Sequence, residues 1–153
     1  MVINIGRFLS GDYSLVEDDI AAVCEEVHKG KAILKVILEN AYLSEEGIIK
    51  ACQICASAKA DFTKTSTGYA PYGARIQDLR LMRKHTPPGM QVKAAGGVRQ
   101  LDDALAVRAV GATRFGCTTT AVMIQEARER EGRDELIVPL PEDVKELSYL
   151  TKN

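Results

Sequence analysis

No stretch of this 153-residue chain approaches the ~20 consecutive apolar residues that a membrane-spanning helix needs. The longest apolar runs, such as Ala32 to Leu38, are interrupted by Lys35. An excess of either charge is lacking as well: twenty basic residues face twenty-one acidic ones, for a formal net charge of -1. Polyanion-binding surfaces are built largely from surplus Lys and Arg, so nucleic acid is not an expected partner, and neither is a membrane. Met1 to Ile5 is apolar but has no basic region ahead of it and meets Gly6 and Arg7 at once, which is wrong for a secretory signal. The four cysteines are therefore expected to stay reduced in the cytoplasm. Two nucleotide-binding signatures are missing too, a Gly-x-Gly-x-x-Gly turn after the first apolar run and any Walker A sequence. What remains is a chain that is 46% apolar, long enough for one domain with a sizeable core.

Short apolar runs alternate with longer segments of helical spacing. The runs are Met1 to Ile5, Ala32 to Leu38, Asp61 to Ser66, Gln91 to Ala95 and Thr113 to Cys117. A helix is predicted after each. The first opens at Ser14, with Glu17 three residues on as a capping box, and carries Val16, Ile20, Val23 and Val27 on one face. The second starts near Ser44, with Glu45 and Glu46 at its positive end, and buries Ile48, Cys52 and Cys55. Others run from about Arg75 to His85, from Leu101 to Val110 with Gly111 as a stop, and from Thr120 to Glu131. Residues 1–131 thus read as five consecutive βα units, an α/β fold whose strands are parallel with right-handed crossovers. An open doubly wound sheet and part of a closed barrel both satisfy that pattern. Residues 132–153 read as a tail with a short helix ending at Leu150, packed on the outside, with Leu136 to Pro141 as an apolar arm that could serve an oligomer contact.

Cys52-x-x-Cys55 has no second pair and lies on the apolar helix face, so it reads as buried thiols rather than half of a metal site. His28 and His85 fall near helix ends and read as surface residues. The run from Glu126 to Glu135 reads as a solvated helix face and loop.

Strands covered by helices ordinarily read as unbroken apolar runs, yet three of these contain a lysine: Lys35, Lys64 and Lys93. One such lysine has a bland explanation, its ammonium reaching past the sheet edge into water. Three in consecutive strands, each followed by a polar or glycine-rich loop, point to chemistry, because parallel strands carry their functional groups at the carboxyl ends. A lysine catalyses by attacking a carbonyl as a neutral amine, which means lowering its pKa from ~10.4 to ~7, about 4.6 kcal/mol. Neighbouring strands lie ~4.8 Å apart. Two ammonium groups at ~5 Å and an effective dielectric of ~20 repel by ~3 kcal/mol, and partial burial can supply the rest. One lysine of the pair Lys64 and Lys93 would then be the nucleophile and the other would keep it deprotonated.

The loops that follow suit an anionic handle. Thr65-Ser66-Thr67-Gly68, Ala95-Gly96-Gly97-Val98-Arg99 and Thr118-Thr119-Thr120 supply backbone N–H groups, hydroxyls and a guanidinium. A phosphate site built from the loops of the last two strands recurs in barrels.

These residues carry a specific resemblance. Asp61 to Gly68 and Gln91 to Arg99 resemble the two signature strands of the deoxyribose-phosphate aldolase family, and Leu34 to Glu39 and Arg114-Phe115-Gly116 are similar to its flanking strands in the same order. The resemblance covers residues 1 to about 128. It implies a partial (β/α)8 barrel, with five units corresponding to strands 4 to 8. It also implies a class I aldolase that cleaves 2-deoxyribose 5-phosphate to glyceraldehyde 3-phosphate and acetaldehyde, without metal or other cofactor. By this resemblance Lys64 is the Schiff-base lysine, Lys93 its pKa-lowering neighbour and Lys35 part of the surrounding polar network. Gly68, Gly96, Gly97, Thr118 and Thr119 match phosphate-binding positions, with Arg99 as a supporting charge. Met1 matches an internal methionine of the family's fourth strand, so the first three units and a proton-shuttling aspartate have no counterpart. Open sheet edges and an uncovered inner face lead us to expect a homo-oligomer. A phosphate-binding fragment without turnover and another class I sugar-phosphate aldolase are the alternative readings.

Overall fold

The computed structural model describes residues 1–132 and 141–151. Four strands form one parallel sheet in chain order: β1 (Lys35–Ile37), β2 (Phe62–Lys64), β3 (Gln91–Ala95) and β4 (Arg114–Gly116). Between and around them run α1 (Ile5–Leu9), α2 (Tyr13–Lys29), α3 (Glu45–Ser57), α4 (Ile76–His85), α5 (Leu101–Ala109), α6 (Thr120–Glu131) and α7 (Ser148–Thr151). The four later runs of the sequence thus become strands, each followed by a helix.

The first run differs. Instead of a ladder it makes a single parallel bridge, Val2 to Ile37, with the Ile3 N–H donating to the Ile37 carbonyl at 3.0 Å. The cause is local: the Asn4 side chain accepts from the Arg7 N–H at 3.1 Å and caps α1, which turns the chain away after Ile3 and buries Phe8. The next helix also begins earlier than its Ser14–Glu17 spacing suggests. Asp12 is its cap, accepting from the Leu15 N–H at 3.4 Å, and places Val16, Ile20 and Cys24 in the core.

The remaining helices follow their patterns. Ser44 accepts from the Gly47 N–H at 3.1 Å to start α3, with Glu45 and Glu46 in its first turn. Its Cys52 and Cys55 are buried; burial pushes the Cys52 thiol up to about 11 and raises Cys55 well above the usual thiol range, as expected of inert core residues. Along α4, Ile76, Leu79 and Met82 are buried, and the helix ends at Thr86, ahead of two prolines. His28 is paired to Asp61 at 2.9 Å on the surface, and His85 is half-buried.

The sheet is two-faced. Val36, Thr63, Val92 and Ala94 point into the helical layer and are wholly buried. Alternate residues must face the other way. That side carries Lys35, Ile37, Lys64 and Lys93, all half-buried, with Gln91 and Arg114 exposed. Among the described residues no helix is long and apolar enough to cross a membrane.

The described part of the tail docks on the domain. Leu147 is completely buried, the Glu146 carboxylate accepts from the Ile76 N–H at 2.9 Å, and Asp103 accepts from the Ser148 N–H and hydroxyl, each at 2.7 Å. Residues 136–140 of the expected apolar arm, and 133–135 of the charged run, lie outside the described residues.

Candidate active site

Register decides which lysines meet. Lys64 of β2 is the Cα partner of Lys93 in β3, and Lys93 in turn pairs with Arg114 of β4. In a parallel sheet, register partners project to the same face, so the two lysines stand side by side on the side away from the helices. Lys35 lies one pleat earlier on that face: it pairs with Phe62, and its Nζ sits 5.1 Å from the centre of the Phe62 ring. The same ring takes the Arg114 guanidinium at 5.1 Å. Four cations therefore share one face of four short strands.

Partial burial holds the Lys64 ammonium below the ordinary lysine range. The nearby charge of Lys93 pushes in the same direction, as does Lys35, while the Glu39 carboxylate opposes them. The direction is the one that a reactive amine requires.

The carboxyl ends of β2 and β3 are locked together by a side chain. The Thr65 carbonyl turns to accept from the Asn40 N–H at 3.0 Å, so the backbone ladder stops there. Its hydroxyl replaces the missing rung, donating to the Ala95 carbonyl and accepting from the Ala95 N–H, both at 3.0 Å and both buried. Beyond this splice the loops touch through glycines. A Cβ on Gly73 would lie 2.6 Å from the Gly96 carbonyl carbon, and the Ala74 N–H donates to the Gly96 carbonyl at 3.0 Å. Both Gly96, at φ 79°, and Gly97, at φ 88°, occupy left-handed backbone that favours glycine.

Of the residues expected to hold phosphate, Gly96, Gly97, Arg99 and Thr119 are brought together. The Thr119 hydroxyl donates to the Arg99 carbonyl at 2.8 Å, joining the loops after β3 and β4. The Arg99 N–H is fixed by Asp103 at 2.9 Å, and its exposed guanidinium lies 5.6 Å from the Tyr149 ring. That ring covers Gly97 closely enough that a Cβ there would fall 1.9 Å from Tyr149 Cε1, and the Tyr149 hydroxyl donates to the Ala74 carbonyl at 2.7 Å. Thr118 is exposed. Gly68, at φ 108°, has open space on its Cβ side.

Three residues at this end were not singled out in the sequence. Glu39 is almost completely buried just beyond β1 and reaches Thr67. Arg114 joins the cationic face only through register, and Tyr149 arrives from the tail. The period-two alternation of Arg114 with Gly116 was the available signal for one of them.

Parallel strands in unbroken chain order, with intervening helices and polar groups gathered at the carboxyl ends, make a partial (β/α)8 barrel rather than a doubly wound sheet, whose strand order reverses. Residues 2–119 match the DeoC/LacD family aldolase, and the chain belongs to that family. It is 50% identical over 131 residues to deoxyribose-phosphate aldolase of Rhodopirellula baltica, a match covering 86% of this chain and 54% of the relative. To the enzyme of that name from Thermococcus gammatolerans it is 48% identical over 131 residues, covering 86% and 58%. Among solved structures it resembles QR15, an aldolase, with a TM-score of 0.78 at 38% identity over 85% of this chain and 58% of that one. A tetrameric deoxyribose phosphate aldolase from Aeropyrum pernix gives 0.68 at 29% identity, over 76% and 50%. The chain spans about half the length of these relatives.

Proposed function

We propose that the chain carries the imine-forming half of a class I aldolase site for 2-deoxyribose 5-phosphate, with Lys64 as the attacking amine. One observation carries the reading: Lys64 and Lys93 are register partners on the open face, and burial and like charge together depress Lys64. The neutral amine adds to the aldehyde carbon of the open-chain sugar, and loss of water leaves an iminium. That cation draws electrons from the C2–C3 bond, which breaks once the C3 hydroxyl gives up its proton. Glyceraldehyde 3-phosphate departs and leaves an enamine; water carries the hydroxyl proton away and returns a proton to the enamine carbon, and hydrolysis of the resulting two-carbon iminium gives acetaldehyde and the free amine. Lys93 keeps Lys64 deprotonated, and Lys35 adds to the field. Gly96, Gly97, Arg99 and Thr119, with Gly68 and Thr118 at the rim, hold the phosphate through backbone N–H groups, hydroxyls and the guanidinium.

Borohydride reduction in the presence of 2-deoxyribose 5-phosphate, followed by peptide mass mapping, tests this. The expected result is a reduced adduct on Lys64 that is absent from Lys64→Ala. An adduct on Lys93 or Lys35 instead, or none, would overturn the assignment. Release of glyceraldehyde 3-phosphate measured alongside separates turnover from adduct formation alone.

A further inference from the structure

Glu39 is a buried charged residue at this site that the proposed mechanism leaves without a task. It follows β1 directly, is 3% exposed, and has φ 55° and ψ 63°. A side-chain-bearing residue held in left-handed backbone costs on the order of 1–3 kcal/mol, so the surroundings must enforce it. They do so through Asn40, completely buried, whose N–H is bound by the Thr65 carbonyl at 3.0 Å. The twist directs the Glu39 carboxylate across to the loop after β2. Both of its oxygens lie 3.1 Å from the Thr67 N–H, and it also accepts from the Thr67 hydroxyl. The Thr67 hydroxyl oxygen in turn accepts from the Tyr69 N–H at 3.2 Å, so this chain of contacts brackets Gly68. Among the described residues, the charged groups around Lys64 are Lys93 from β3, Lys35 from β1, Arg114 one strand beyond Lys93, and Glu39. Glu39 is the anion among them.

We propose that Glu39 is a positioning residue of the lysine site: through Thr67 its carboxylate fixes the loop that carries Gly68, and its charge balances the cations gathered around Lys64. The inference rests on the reading of Lys64 as the reacting amine. The two tasks separate by substitution. Glu39→Gln keeps an acceptor of the same length and removes the charge; Glu39→Asp keeps the charge and is one methylene too short for Thr67.

The test is trapping of propanal by cyanoborohydride at Lys64 across a pH series, read by peptide mass, together with amide hydrogen exchange at Thr67 and Gly68. A carboxylate favours the ammonium form, so its loss increases the neutral amine. Glu39→Gln is expected to trap about three- to tenfold faster than wild type below the midpoint of the profile, which moves to lower pH by about half a unit to one. Its Thr67 exchange is expected to stay slow. Glu39→Asp is expected to keep the wild-type midpoint and to exchange Thr67 faster. An unchanged or higher midpoint in Glu39→Gln, or wild-type exchange in Glu39→Asp, overturns the role given to Glu39. Absence of any Lys64 adduct in the wild type overturns the reading of Lys64 instead. Circular dichroism on both variants establishes that they fold, and each keeps a polar side chain at the buried position.

Discussion

The hydroxyl splice at Thr65 can be tested by a substitution that changes almost nothing else. Thr65→Val keeps the β-branched shape and volume, so no cavity opens, but it removes the group that serves both the N–H and the carbonyl of Ala95. Those backbone atoms face β2 where its own carbonyl has turned toward Asn40, and Thr65 and Ala95 are both buried. A buried polar group left without a partner costs about 1–3 kcal/mol, and two are orphaned, so the loss is about 2–6 kcal/mol. Urea denaturation followed by far-ultraviolet circular dichroism reads it as a lower midpoint at unchanged slope. Thr65→Ser provides the control. It keeps the hydroxyl and gives up one methyl, about 1 kcal/mol. The reasoning is refuted if Thr65→Val loses less than about 0.5 kcal/mol, or if the Val and Ser variants lose the same amount.

Removing the neighbouring charge by Lys93→Met should return Lys64 toward an ordinary lysine. With ~3 kcal/mol as the upper limit of the repulsion at ~5 Å, the midpoint of aldehyde trapping rises by about one to two pH units and the rate below it falls at least about tenfold. A midpoint that stays put would mean that Lys93 does not act on Lys64. In the tail, Leu147→Ala is expected to cost about 2–4 kcal/mol in urea denaturation because Leu147 is fully buried in the core cluster; a loss under about 1 kcal/mol would show that the segment does not dock.

The alternation of strands and helices was legible because each helix advertises itself by local spacing: Val16 with Ile20 in α2, Ile48 with Cys52 and Cys55 in α3, Ile76 with Leu79 in α4. These are short-range patterns. What was not legible depends on competition or on distance. Met1 to Ile5 has strand composition, but Asn4 caps a helix there, and one side-chain hydrogen bond outweighed β-branching at a sheet edge. The hydrogen bond from the Ile76 N–H to Glu146 and the approach of Tyr149 to Gly97 join residues some fifty or more apart in the chain, for which no periodicity exists.

The lysines illustrate why part of the site could be read and part could not. A cation inside an apolar strand run breaks a local rule, so Lys35, Lys64 and Lys93 stood out singly. Their relation to one another is a matter of register, and register is set by the whole sheet. A slip of one residue between β2 and β3 would place Lys64 opposite Val92 or Ala94 and drive one lysine into the helical layer, where Val36, Thr63, Val92 and Ala94 are packed without exposure. Burying an unpaired ammonium there costs far more than any alternative pairing returns, so the apolar face itself holds the two amines together on the other. The same core that stabilises the fold thereby sets which amines stand side by side. Residues whose part is fixed by neither rule, such as Glu39, become visible only when the loops are seen in place.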